Sequence, residues 1–153
     1  SKADQLKIKK QIIDFIAQAL QYAAQNKNIK IILDYEQNTT VVSDENMIKT
    51  VLRNLICNAI KFSYKNGEIK ISIVNEKLQF IVQIKDYGIG ISEENQQMIF
   101  AANSNFTQRG TSNEKGTGLG LNICKEFISS WKGRIWVESS LGQGSTFSFS
   151  IPK

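Results

Sequence analysis

The stretch NLICNAIKFS at 54–63 sets Asn54, Asn58 and Lys61 on one edge of a helical pattern whose neighbouring edge is apolar. Ser43-Asp44 can cap a helix that runs to about Phe62. Within it Ile48, Val51, Leu52, Leu55, Ala59 and Phe62 recur at helical spacing and form one stripe. Asn54, Asn58 and Lys61 fall within roughly 60° of arc beside that stripe. Asparagine costs about 0.5 kcal/mol relative to alanine inside a helix, so two of them four apart call for a reason. An amide oxygen is a neutral hard ligand that suits Mg²⁺. A lysine one turn on can meet phosphate as a point charge. Taken alone, the pattern equally fits a polar helix edge bonded to loops.

Outward from this helix the periodicity changes several times. Residues 5–26 carry helical spacing, with Ile12, Phe15, Ile16, Ala19, Leu20 and Ala23 as the apolar positions. IKIILDY at 29–35 reads as a strand and Val41-Val42 as a shorter one. After the turn Lys65-Asn66-Gly67, EIKISIV at 68–74 and LQFIVQIK at 78–85 alternate as strands, joined like a hairpin at 75–77. Ser92 can cap a short helix containing Gln96 to Phe100. The polar stretch 101–116 reads as a long loop, and such loops in compact domains are usually functional or mobile. Helical spacing returns at 118–131, and strands at 134–138 and 145–151 close the chain. Hairpins mixed with helices predict an α+β fold: a two-layer α/β sandwich, with a mixed, mostly antiparallel sheet covered by helices on one face.

The 153 residues suit a single domain spanning 1–153, with a core large enough to need no staples. No apolar run approaches the ~20 residues that cross a bilayer, and no signal-peptide pattern opens the chain. The chain has no histidine, which excludes imidazole catalysis, histidine metal sites and a histidine phosphoacceptor within it. Cys57 and Cys124 lack metal spacing and sit in helical patterns, so both are expected to be buried structural thiols. The net charge of +5 could favour polyanions, but the lysines are dispersed and no aromatic residues interleave with the longest basic cluster, Lys7-Ile8-Lys9-Lys10. A nucleic-acid-binding role is therefore not expected.

Three glycine-bearing motifs follow the asparagine helix. DYGIGI at 86–91 puts a carboxylate at a strand end, where it can accept a hydrogen bond from an exocyclic amine such as that of adenine. GTGLGL at 116–121 places glycine-rich backbone at a helix start, where free N–H groups and the helix dipole favour phosphate. It is neither the dinucleotide fingerprint nor a P-loop. GQGSTF at 142–147 is a turn into a strand. Each motif alone also reads as an ordinary turn or helix cap.

In this order, NLICNAIKFS, DYGIGI, GTGLGLNICKEF at 116–127 and GQGSTF resemble the N box and the three G boxes of the Bergerat-type ATP-binding fold. Within that fold they are similar to the catalytic and ATP-binding domain of two-component sensor histidine kinases. Phe100 and Phe106 match the F box of that family, and the resemblance runs from about residue 5 to Ile151. It implies ATP and Mg²⁺ as ligands. Asn58 would coordinate Mg²⁺, Asn54 would support the metal or phosphates, and Lys61 would contact phosphate. Asp86 would bind the adenine amine with Thr146 assisting through water, and Gly88 and Gly90 would shape the adenine wall. Residues 92–117 would form an ATP lid. Gly116, Thr117, Gly118, Leu119 and Gly120 would hinge it and bring backbone N–H groups to phosphate. Tyr64 would line the nucleotide, and Arg109 could reach the phosphates or remain an exposed loop residue.

Other branches of the superfamily carry a glutamate general base at the position of Asn54, and an amide cannot take a proton from water. Asn54 thus suits phosphoryl transfer rather than efficient hydrolysis. The resemblance implies a catalytic domain separated from its histidine-bearing dimerisation domain, with a response regulator receiver domain as the further partner. A cytoplasmic, monomeric domain without membrane contact is expected. A degenerate nucleotide-binding module and an anti-sigma-type protein-serine kinase are the alternatives.

Overall fold

A computed structural model describes residues 6–35, 40–101, 110–112 and 120–153. The chain runs β1 (Leu6–Lys9), α1 (Lys10–Gln25), β2 (Lys30–Asp34), β3 (Thr40–Ser43), α2 (Glu45–Phe62), β4 (Glu68–Asn75) and β5 (Gln79–Asp86). It continues through α3 (Glu93–Met98), α4 (Gly120–Ser130), β6 (Ile135–Ser140) and β7 (Gly144–Pro152). Five strands form the main sheet in the order β2-β4-β5-β7-β6, and β1 and β3 make a separate antiparallel pair. Only β2–β4 is parallel; the other main-sheet pairs are antiparallel. This is the mixed, mostly antiparallel sheet that the hairpin pattern predicts.

The helices lie on one face because the strands alternate. Ile69 and Ile71 of β4, Val82 and Ile84 of β5, and Phe147, Phe149 and Ile151 of β7 point into a common core with α2 and α4. The intervening residues Lys70, Ser72, Gln83, Lys85, Glu138 and Thr146 line a shallow depression on the opposite face. The α2 stripe is wider than the sequence pattern requires, with Ile48, Val51, Leu52, Leu55, Ile56, Ala59, Ile60 and Phe62 all buried. Each large aliphatic side chain so buried contributes about 1.5–3 kcal/mol. Asp44 caps this helix, its side chain accepting from the Met47 N–H at 3.0 Å. α4 adds Cys124 and Ile128 to the core.

Several boundaries depart from the periodicity. Residues 6–9 are a strand, not the first turn of α1. Leu6-Lys7-Ile8-Lys9 alternates with a period of two, and it finds a partner in Thr40–Ser43. α3 ends at Met98, with Ile99 and Phe100 in the turn beyond it. β5 includes Asp86 as its last residue, which ties that carboxylate to the sheet ladder. Cys57 is exposed, contrary to expectation, whereas Cys124 is buried. Position 57 lies two residues past Leu55, about 200° around the helix, and so faces away from the stripe.

Candidate functional site

The site is built where the C-terminal turn of α2 meets the end of β5. Asp86 is 1% exposed, on the helix-facing side of the sheet. Its Oδ1 accepts from the Gly88 N–H at 2.9 Å, and the Ser145 N–H also favours its charged form. Burial pushes the carboxyl up to about 6, against the opposing pull of those two N–H groups. A carboxylate held at a strand end in so dry a position is suited to accept from a ligand amine.

Two glycines in the turn after Asp86 are required by close approach. A Cβ at Gly88 would lie 1.8 Å from the Phe62 carbonyl oxygen, so the turn packs directly on the end of α2. There the Ile89 N–H donates to the same Phe62 oxygen at 3.1 Å. Gly90 has φ +71°, and its Cβ would meet the Ser140 carbonyl oxygen at 2.1 Å. The β6–β7 turn is thereby stacked on the 86–91 turn, with the Gly142 N–H donating to Ile89 O at 2.8 Å.

That stacking corrects one assignment. Thr146 pairs with Lys85 and lies on the far face of the sheet, among Lys70, Ser72 and Glu138. Ser145 is the register partner of Asp86 and is 3% exposed. Its Oγ is 2.7 Å from Ser139 Oγ, and Ser139 Oγ accepts from the Ile91 N–H at 2.8 Å. Side chains alternate along a strand, so one step in sequence changes the face. The burial of 145 beside Asp86 was readable by counting back from Phe147 in steps of two.

On α2, Asn54, Asn58 and Lys61 are all half-buried. A Cβ at Gly120 would lie 3.5 Å from Asn54 Oδ1, so the first residue of α4 sits over the asparagine edge. The Cys124 thiol donates to Val51 O at 3.8 Å, and burial pushes it up to about 12, against an opposing pull from the Asn54 amide. Lys61 Nζ lies 5.0 Å from the centre of the Phe62 ring. Among the described residues no group of three His, Cys, Asp or Glu side chains could hold a metal. The Asn58 amide oxygen is a neutral hard ligand, and a cation held there together with a bound phosphate group and water would suit Mg²⁺.

Tyr64 is 50% exposed just beyond α2. Phe100 packs edge-on against Phe147 with ring centres 6.2 Å apart. Thr111 is joined to the end of α2: its N–H donates to Lys61 O at 3.1 Å and its hydroxyl donates to Ser63 O. Arg109, Gly116, Thr117, Gly118, Leu119 and Phe106 lie outside the described residues. Among the described residues, no helix is long and apolar enough to cross a membrane.

Comparison with known proteins identifies the family. Residues 43–153 match the histidine kinase-, DNA gyrase B- and HSP90-like ATPases. The chain belongs to this family. Its fold superposes on the catalytic domain of histidine kinase ThkA with a TM-score of 0.83, 31% identity and 97% of each chain covered. The chain is thus a member of the sensor histidine kinase branch. It is 41% identical over 128 residues to the adaptive-response sensory kinase SasA of Crocosphaera subtropica, covering 82% of this chain but 33% of that protein. The chain spans about a third of the length of such curated relatives. It also matches ThkA in a complex with the response regulator protein TrrA, with a TM-score of 0.79, 28% identity, 97% of this chain and 42% of the other covered.

Proposed function

We propose that this domain binds Mg²⁺–ATP in the cleft between the asparagine edge of α2 and the 86–91 turn. It then transfers the γ-phosphoryl to a histidine on a separate dimerisation domain, for relay to a response regulator. The observation that carries this reading is Asp86, a buried carboxylate at a strand end flanked by glycines that no side chain could replace. Family membership supports the ligand class, and the complex of ThkA with a response regulator supports the relay.

In this reading Asp86 accepts from the adenine amine and Ser145, rather than Thr146, lies beside it. Gly90 shapes the adenine wall, and Tyr64 lines the nucleotide. Asn58 holds Mg²⁺, which supplies charge neutralisation on the phosphate oxygens, and Asn54 supports that group. Lys61 meets phosphate. The segment 92–117 acts as a lid, with Gly116, Thr117, Gly118, Leu119 and Gly120 offering backbone N–H groups and Arg109 additional charge. Transfer breaks the bond from the γ-phosphorus to the bridging oxygen, which leaves on ADP. A P–N bond to the acceptor imidazole forms. This chain has no histidine, so the acceptor belongs to another domain. Positioning and charge neutralisation supply the rate, and Asn54 offers no base for water. A domain that consumes ATP in this way belongs in the cytoplasm.

Calorimetric titration of Mg²⁺–ATP into the parent chain and Asp86→Asn tests the site. Binding by the parent and its loss in the variant is the expected result. Adding a histidine-bearing dimerisation domain and radiolabelled ATP then tests transfer. An ATP-binding parent that labels none of several matched acceptor domains would overturn the kinase reading.

A further inference from the structure

Lys27 is 6% exposed, although it lies in a turn between α1 and β2 where a lysine is normally solvated. Its ammonium donates to the carbonyl oxygens of Ile60 at 3.1 Å, Lys61 at 2.8 Å and Ser63 at 3.2 Å, and to Thr111 Oγ1 at 2.8 Å. These carbonyls close the C-terminal turn of α2, the end at which helix carbonyls lack intrahelical partners and cations are favoured. The Lys27 backbone is clamped as well. Its carbonyl accepts from the Asn66 N–H at 2.7 Å. Asn28 and Asn66 both adopt positive φ, at 54° and 65°, and their side chains bond at 2.7 Å. Two left-handed turns thus aim one ammonium at one helix end.

Thr111 makes this more than a helix cap. Its N–H donates to Lys61 O, its hydroxyl donates to Ser63 O, and the same hydroxyl oxygen accepts from Lys27. Lys27 therefore holds Thr111 against the turn that carries Lys61. An ammonium with three N–H donors can serve these four converging oxygens by sharing one donor between two of them. A planar guanidinium, built for paired acceptors, cannot.

We propose that Lys27 is a positioning residue: with Thr111 it forms a latch that fixes the C-terminal turn of α2, and with it Lys61, for binding the phosphates of ATP. The latch itself stands on the geometry above; its effect on ATP rests on the nucleotide reading of the site. Within that reading the latch bears on the turn that carries Lys61, so its loss falls more heavily on ATP than on adenosine.

The test has two arms, on the parent, Lys27→Met, Lys27→Arg and Thr111→Val. The first is amide hydrogen exchange without nucleotide. The latch requires faster exchange at Thr111 in Lys27→Met, by about tenfold, with the β5 and β7 amides unchanged. Unchanged exchange at Thr111 overturns the latch. The second is titration with Mg²⁺–ATP and with adenosine. Lys27→Met and Thr111→Val should each weaken ATP by roughly three- to tenfold and adenosine by less than about twofold. The double variant should be no weaker than the worse single, because the two residues act as one unit. Lys27→Arg should not restore ATP affinity. Equal losses for ATP and adenosine, or none for ATP, overturn the positioning role. Should Lys27→Met fail to fold, Thr111→Val, which removes only a hydroxyl, decides the question. A parent that binds neither ligand overturns the nucleotide reading, and the exchange arm still decides the latch.

Discussion

Asp86 and Ser145 are register partners on the β5–β7 ladder, both buried, and the Ser145 N–H draws the Asp86 carboxyl toward its charged form. Burial still outweighs that donor and raises the Asp86 carboxyl from 3.8 to about 6. Folding thus favours the protonated acid. Its stabilising contribution is full below the unfolded value and is lost as pH rises through about 6. At neutral pH the buried charge costs on the order of 3 kcal/mol. Asp86→Asn should flatten the dependence of stability on pH across that window. It should leave the domain no less stable near neutrality, measured by urea denaturation at several pH values.

Ligand binding should show the opposite sign. An amine donor needs the ionised acceptor, so affinity should fall as pH drops through about 6, approaching tenfold per unit below it. Adenosine is the probe of choice because it carries no titrating phosphate. Isothermal titration of the parent checks this, and an affinity flat across the window would separate Asp86 from ligand recognition.

Ser145 and Thr146 give a test of face. Ser145→Ala should weaken adenosine by roughly fivefold, about 1 kcal/mol, through loss of a hydroxyl beside Asp86. Thr146→Val changes the far side of the sheet and should leave affinity within about twofold. Equilibrium binding on the two purified variants distinguishes them.

These two residues also show where the sequence was legible. α2 was readable because its stripe repeats over many turns, and the four boxes were readable because their order is specific. Thr146 lies across the sheet from Asp86 because a motif names residue types, whereas strand phase decides which face they take. β1 was hidden because Lys7 and Lys9 alternate with Leu6 and Ile8 beside a strong helical pattern, and only its pairing with Thr40–Ser43 decides it. Lys27 carries no local signal at all. Its partners lie 33 to 84 residues away, and a single lysine after a helix reads as solvated. Cys57 was legible in principle, since its angle around α2 already set it apart from the stripe.

Gly88→Ala should destabilise the fold, because its Cβ would fall 1.8 Å from the Phe62 carbonyl oxygen and backbone must move. A loss of about 2–4 kcal/mol is expected. Gly142→Ala is the comparison. It meets nothing within 4 Å and has φ +80°, so only backbone strain applies, about 1 kcal/mol. Urea midpoints for the two variants rank close approach against strain.

The cysteines should differ in reactivity. Cys57 is exposed, and although burial of its sulfur raises its pKa, Arg53 opposes that shift. Cys124 is fully buried and held far from its thiolate form. Alkylation of the native chain should label Cys57 alone, and denaturation should expose Cys124. Mass spectrometry of the labelled peptides reads this directly.

Asn58→Ala separates metal from nucleotide. If the Asn58 amide holds Mg²⁺, the variant should bind ATP in the presence of Mg²⁺ only as tightly as the parent binds ATP with the metal chelated. The loss should be on the order of tenfold or more. Adenosine affinity, set at Asp86, should be unchanged. Asn54→Ala offers a contrast, because its side chain lies against Gly120 at the start of α4. It should lower stability by about 1–2 kcal/mol as well as ATP affinity. An Asn58→Ala variant that keeps its full gain from Mg²⁺ would move the metal away from this helix. Among the described residues no carboxylate cluster could then replace it.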